Sequence, residues 1–178
     1  MSANRDETTT RKPWCTLAWC RSHSRAEFSR QVSPPSAERT ETVAGLRKEM
    51  MHTMEQHAGI YRSGVGLAEA CVKLGELRQR YRRIELHDKT NVYNTDLLQA
   101  LELGSMLDCA EAVVQSALAR KESRGAHQRL DYVERDARGY LKHSLAHWQG
   151  GEAPRVDYLD VVITRSQPGV RDYSGAHA

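Results

Sequence analysis

Between Ala119 and Asp131 the chain places Arg120, Lys121, Arg124, His127 and Arg129 around one glycine, Gly125. Guanidinium groups are planar forks that match a carboxylate or phosphate with two parallel hydrogen bonds, so Arg124, His127 and Arg129 converging at a helix end form a candidate anion site. The same groups have a second use that requires no ligand. Cationic side chains cap the last carbonyls of a helix and pair with nearby acids, here Glu122, Asp131, Glu134 and Asp136. The second use is the simpler of the two.

Other residue types with chemical potential are scattered. Cys15, Cys20 and His23 have a C-x4-C-x2-H spacing that could supply three zinc ligands, but no fourth follows at a standard distance. Cys71 and Cys109 fall in helical patterns, where cysteine packs as a small hydrophobe. His52, His57, His87, His143 and His147 stand singly, without a second ligand or an acidic orienting group at fixed spacing, and none is nominated as catalytic. Gly64-Val65-Gly66 is the nearest approach to a phosphate-cradling loop. It follows a helix instead of a strand, lacks the third glycine and reads as the turn that starts a helix. No catalytic, cofactor-binding or metal-binding residue is assigned.

The elements that must position the basic cluster are helical. Leu46, Met50, Met54 and Ile60 recur near helical spacing from Thr42 onward. After Gly59 and Ser63-Gly64, the series Leu67, Ala70, Cys71, Leu74, Leu77, Tyr81 and Ile84 makes a second apolar stripe. Asn94-Thr95-Asp96 offers capping side chains for a third helix whose apolar positions run from Leu97 to Leu118, ending near Lys121. Small residues including Gly104 and Ala110 permit close helix approach, and short links favour an up-down-up arrangement. The expected fold is mainly α: a three-helix bundle of the spectrin-repeat kind over residues 41–125, then an extension over 126–178 with a short β-hairpin. In that hairpin a β-branched strand, residues 155–164, pairs with residues 144–148 across Gly150-Gly151. Residues 1–40, rich in Arg, Ser, Thr and Pro, carry too few large apolar groups to offset chain ordering and are expected to be disordered.

Bulk composition agrees. The chain has 178 residues, enough for one ordinary domain with tails, and its 6% aromatic content disfavours a sheet-rich fold. A net charge of +3, with both signs interleaved, does not imply nucleic-acid binding. No apolar run approaches the ~18 residues needed to span a bilayer, and the N-terminus lacks the signature of a secretory signal. The expectation is a cytoplasmic chain without direct membrane insertion.

The stretch Arg120-Lys121-Glu122-Ser123-Arg124-Gly125-Ala126-His127-Gln128-Arg129 resembles the ARKESRGAHxR run of fumarate reductase and succinate dehydrogenase flavoprotein subunits. Flanking segments resemble the same family in the same order: Arg47-Lys48-Glu49-Met50, Gly59-Ile60-Tyr61-Arg62, Asn94-Thr95-Asp96-Leu97, Glu134-Arg135-Asp136 and Leu141-Lys142-His143-Ser144-Leu145. The likeness covers roughly residues 43–173. Gln128-Arg129-Leu130-Asp131 and Tyr158-Leu159-Asp160-Val161-Val162-Ile163-Thr164 look more like the fumarate reductase branch. Ala137-Arg138-Gly139 and Gln167-Pro168-Gly169 depart from the family pattern.

The resemblance implies a C-terminal domain of an FAD-dependent oxidoreductase subunit that interconverts fumarate and succinate. In the family, FAD and the catalytic residues belong to the region before this helical part, so none is carried over and the chain alone is expected to be inactive. The implied partners are the FAD-binding domain and the iron-sulfur subunit, with Arg124, His127 and Arg129 as candidate inter-domain contacts and a location peripheral to the inner face of the cytoplasmic membrane. Residues 1–40 do not resemble the family segment that precedes the bundle. The chain is therefore expected to be the product of a split, truncated or misread gene. The alternative is a stand-alone helical interaction module descended from that domain.

Overall fold

The structure, a computed structural model, describes residues 41–88, 90, 92–150, 152–166 and 169. The Cys15, Cys20 and His23 set, the expected disorder of residues 1–40 and the departure at Pro168 lie outside the described residues. The elements in order are helices α1 (Val43–Ala58), α2 (Gly64–Tyr81), α3 (Thr95–Ala119) and the one-turn α4 (Ala137–Tyr140), with strands β1 (Tyr61–Arg62) between α1 and α2, β2 (Gln128–Arg129) after α3, and β3 (Lys142–Gln149) and β4 (Glu152–Asp160) after α4. The architecture is helical with a small antiparallel hairpin, as expected. Among the described residues, no helix is long and apolar enough to cross a membrane.

The chain divides into two compact units. Among the described residues, the first comprises 41–50 with 76–107 and the second 51–75 with 108–169, so each long helix contributes a segment to both.

In the first unit, Thr42 opens α1 by accepting a hydrogen bond from Gly45 N at 3.1 Å, and Val43, Leu46 and Met50 bury one stripe. Asn94 opens α3 as its type suggests, its Oδ1 accepting from Leu97 N at 2.8 Å. Ala100, Leu103 and Leu107 follow as buried positions, three and four residues apart. Gly104 is tight against Tyr81: a Cβ there would lie 2.6 Å from the phenol oxygen, which itself donates to the carbonyl of Ala100 at 2.9 Å. This is the close approach for which a small residue was expected. Arg80 reaches Glu41 and Glu49 together, with Nε and Nη1 at 2.7 and 2.6 Å from them, contacts spanning 39 and 31 residues that local helix spacing does not reveal.

In the second unit, Ser63 caps α2, its Oγ accepting from Gly66 N at 3.1 Å, and Leu67, Ala70 and Leu74 are buried, as are Ala110, Val114 and Ala117 of α3. A fully buried Leu contributes about 1.5–3 kcal/mol relative to exposure, so these short stripes are the main cohesive element. β1 and β2 pair in parallel with Tyr61 opposite Gln128 and Arg62 opposite Arg129, a pairing too short to carry a sequence period. For the same reason Gly64 follows a two-residue strand, where the sequence suggested that it follows a helix. β3 and β4 are antiparallel, running from Lys142 opposite Asp160 to Gln149 opposite Glu152, with an irregularity between His147 and Gln149 and a left-handed Gly150 at φ 70°. The expected strand end at Thr164 is too late. β3 begins at Lys142, so Val161 to Thr164 have no partner in the ladder. Ile60 is likewise exposed beyond the end of α1 instead of extending its stripe.

Candidate functional site

The basic turn after α3 lies wholly in the second unit. A helix leaves its last four carbonyls without intrahelical donors. Arg129, 3% exposed, serves that end of α3: its Nη1 donates to the carbonyls of Ala117 at 3.0 Å, Leu118 at 3.3 Å and Arg120 at 3.2 Å. Its Nε and Nη2 grip Asp131 bidentately, both at 2.7 Å. The Asp131 carboxylate also accepts from Gly64 N, the first residue of α2, at 3.0 Å. One arginine-aspartate pair thus joins the negative end of one helix dipole to the positive end of another. The guanidinium holds the Asp131 carboxyl down at about 2, and the carboxylate in turn raises the Arg129 pKa.

Glu122 is the second anchor and is fully buried. Its Oε1 accepts from Arg120 Nη1 at 2.5 Å and Arg124 Nε at 2.7 Å, while Oε2 accepts from Arg124 Nη2 at 3.0 Å and Asp136 N at 2.9 Å. Asp136 then caps α4 through the amides of Arg138 and Gly139. Arg120 continues outward, donating to the carbonyls of Tyr140 and Lys142 at 2.8 and 2.6 Å and to Ser144 Oγ at 3.1 Å. The entry to β3 is tied to the end of α3 in this way.

Between these anchors the chain reverses. Arg124 and His127 exchange backbone hydrogen bonds of 2.8 and 3.1 Å around Gly125, whose φ of +60° requires glycine although space for a side chain exists. Buried Ser123 fastens the turn, accepting from Arg129 N and donating to the carbonyl of Tyr132, both at 2.8 Å. His127 is held at both nitrogens. Arg62 Nη1 lies 2.9 Å from Nδ1, and because a guanidinium only donates, Nδ1 accepts and Nε2–H donates to the Arg120 carbonyl at 3.2 Å. Burial, with the surrounding arginines, pushes the His127 pKa below its usual value and favours this neutral tautomer.

The structure therefore brings Arg124, His127 and Arg129 into one turn but gives each its own partner within the chain, in keeping with the capping use of these residues. Sequence reading did not find Arg62, which lies 65 residues from His127 and carries no local signal. Of the single histidines, His57 lies 3.9 Å from Glu69 and His147 3.3 Å from Asp157, while His52 and His143 are exposed. Among the described residues, no three His, Cys, Asp or Glu side chains gather where a metal could be held.

The one glycine pair resembling a phosphate cradle does not fit a dinucleotide. A Cβ on Gly64 would meet Asp131 Oδ2 at 2.8 Å, and one on Gly66 would meet His57 Nδ1 at 3.1 Å. The space those glycines open is filled by the chain's own side chains, and a carboxylate already occupies the N-terminus of α2.

Comparison with known proteins places this geometry. The sequence profile of the family described as Fumarate reductase flavoprotein C-term matches residues 47–173. The fumarate reductase flavoprotein subunit of Haemophilus influenzae is 50% identical over 141 residues, covering 79% of this chain and 23% of the relative. The succinate dehydrogenase flavoprotein subunit of Rickettsia felis is 42% identical over 122 residues, covering 68% of this chain and 20% of the relative. A solved structure of E. coli quinol fumarate reductase superposes with a TM-score of 0.75 at 42% identity, covering 82% of this chain and 25% of that one. The chain spans about a quarter of the length of these relatives or less. On these likenesses, the chain belongs to the C-terminal family of fumarate reductase and succinate dehydrogenase flavoprotein subunits, with the fumarate reductase names favoured.

Proposed function

We propose that this chain is the C-terminal helical domain of a fumarate-reductase-type flavoprotein subunit, a three-helix bundle over residues 41–125 with an extension beyond it. It supports fumarate/succinate interconversion by docking on the FAD-binding portion and on the iron-sulfur subunit, and it holds no flavin itself. The assembly is cytoplasmic and peripheral to the membrane through its partners.

The observation that carries this reading is the surface beside the basic turn. The arginines and acids of the turn satisfy one another, whereas Ile60, Tyr61 (72% exposed) and Leu130 (65%), on or beside the β1–β2 pair, are uncovered, as is Val133 (75%) further along the chain. Apolar residues gathered next to a rigid polar frame suit a protein partner. The turn carrying Arg124, His127 and Arg129 is assigned to the same contact, the frame holding its backbone in shape for the partner. What supports a role without bound cofactor is the filling of the α2 N-terminus by Asp131.

The test is the visible absorption spectrum of the chain purified under native conditions from its own source. Flavin co-purifying with it supports the docking reading. A colourless chain migrating as a monomer favours the second reading, a stand-alone helical interaction module.

A further inference from the structure

Most arginines of the basic turn have carboxylate partners: Arg120 and Arg124 share Glu122, and Arg129 holds Asp131. Arg62 differs. Its Nε donates to the Gly59 carbonyl at 2.6 Å and its Nη1 to the neutral His127 ring at 2.9 Å, and among the described residues no carboxylate pairs with it. Half-buried guanidinium without an anion is costly, and desolvation pulls its pKa down.

Arg62 lines a groove of about 410 Å³ that is floored by α3 and bounded on another side by β3, all within the second unit. Ser116 and Ser144 also line it, and no lining residue carries a carboxylate. The Ser144 Oγ accepts from Arg120, which leaves its hydrogen to donate, and the Ser116 hydroxyl has no partner among the described residues. The remaining lining is mostly alanine and valine, suited to aliphatic carbon. Arg120 lines the groove too, but its guanidinium is engaged by Glu122, the carbonyls of Tyr140 and Lys142 and Ser144 Oγ. The groove therefore offers Arg62 as the cation without a carboxylate partner, together with two hydroxyl donors. Its complement accepts hydrogen bonds, carries negative charge and brings aliphatic carbon to the alanine and valine lining, which describes an ionised carboxylate on a short carbon chain.

We propose that this groove is a carboxylate-binding site, with Arg62 supplying the charge and the Ser116 and Ser144 hydroxyls completing the coordination. The carboxylate is carried either by a small organic acid or by an Asp or Glu side chain of a protein partner, and the groove chemistry is the same for both.

The experiment is a nitrogen-15 NMR titration of the full chain with sodium acetate, and separately with the capped tripeptide acetyl-Ala-Glu-Ala-amide, against sodium chloride at matched ionic strength. The expected result is saturable shifts of the Arg62 side-chain N–H and of the Ser116, His127 and Ser144 amides. Arg62→Gln should weaken the binding by about tenfold or more, as expected for loss of one charge-assisted contact. Ser116→Ala should weaken it less. Tighter binding of the tripeptide than of acetate identifies a protein side chain as the source, and the reverse order identifies a free acid. Shifts that are linear in concentration, equal with chloride, or located elsewhere in the chain overturn the proposal. If Arg62→Gln does not fold, Arg62→Lys replaces it: that variant keeps the charge but not the planar fork, so weaker acetate binding with shifts still confined to the groove is expected, and shifts away from the groove overturn the proposal equally.

Discussion

The molecule contains two charged networks built from the same groups in opposite arrangement. In the first unit one arginine, Arg80, holds two glutamates, Glu41 and Glu49, each bidentately. In the second unit one glutamate, Glu122, holds two arginines, Arg120 and Arg124, and a backbone amide. The bond counts and lengths are alike, but the surroundings differ. Glu49 is half-exposed, and Arg80 and Glu41 are each partly exposed, so water reaches the Arg80 network, whereas Glu122 has no exposed surface. Equal geometry therefore does not mean equal consequence. Where water can take over, an ion pair adds little; where it cannot, removing one partner strands buried charge.

The largest expected effect is at Glu122. Glu122→Ala should destabilise the chain by about 3–5 kcal/mol, because it leaves Arg120, Arg124 and the Asp136 amide without their common acceptor. The urea midpoint measures this, and a loss as small as that of an exposed pair would erase the distinction between the networks. Arg80→Ala should cost about 1 kcal/mol or less by the same measurement. If it proves as severe as Glu122→Ala, burial is not what separates them.

A smaller effect comes with pH and sharpens the same contrast. Burial keeps the folded His127 pKa below the usual value near 6.5, so the unfolded chain takes up that proton first. The stability this contributes is whole above about pH 6.5 and is lost as pH falls through the depressed folded value. Asp131, held down at about 2 by Arg129, adds stability present above its unfolded value near 3.8 and lost as pH falls toward 2. Thermal midpoints between pH 7.5 and 2.5 should therefore decline in two stages. His127→Gln should remove the upper stage and leave the lower one.

Much of the fold was legible in the residues themselves. The starts of the three long helices lie where the pattern changes at Thr42, after Ser63-Gly64 and at Asn94; Asn94 was readable as a cap from its type, and the structure adds that Thr42 and Ser63 cap their helices in the same way. The hairpin was legible from its β-branched residues and paired glycines, although its far end was not. β4 stops at Asp160 because its partner begins at Lys142, a fact about the ladder and not about Val161 to Thr164. The two-residue β1–β2 pair left no readable signal, since one alternation cannot establish a period.

The candidate site divides along the same line. The types and spacing from Arg120 to Asp131 determined that a helix would end there on a glycine-centred turn with cations able to cap it, because those interactions close within a dozen residues. Which cation serves which partner was decided only by the tertiary structure. Arg129 takes the end of α3, Arg120 and Arg124 take the buried Glu122, and Arg62, 65 residues away in sequence, meets His127 without an acid of its own. Burial and long-range pairing set those choices, and neither is a property of any short stretch of sequence.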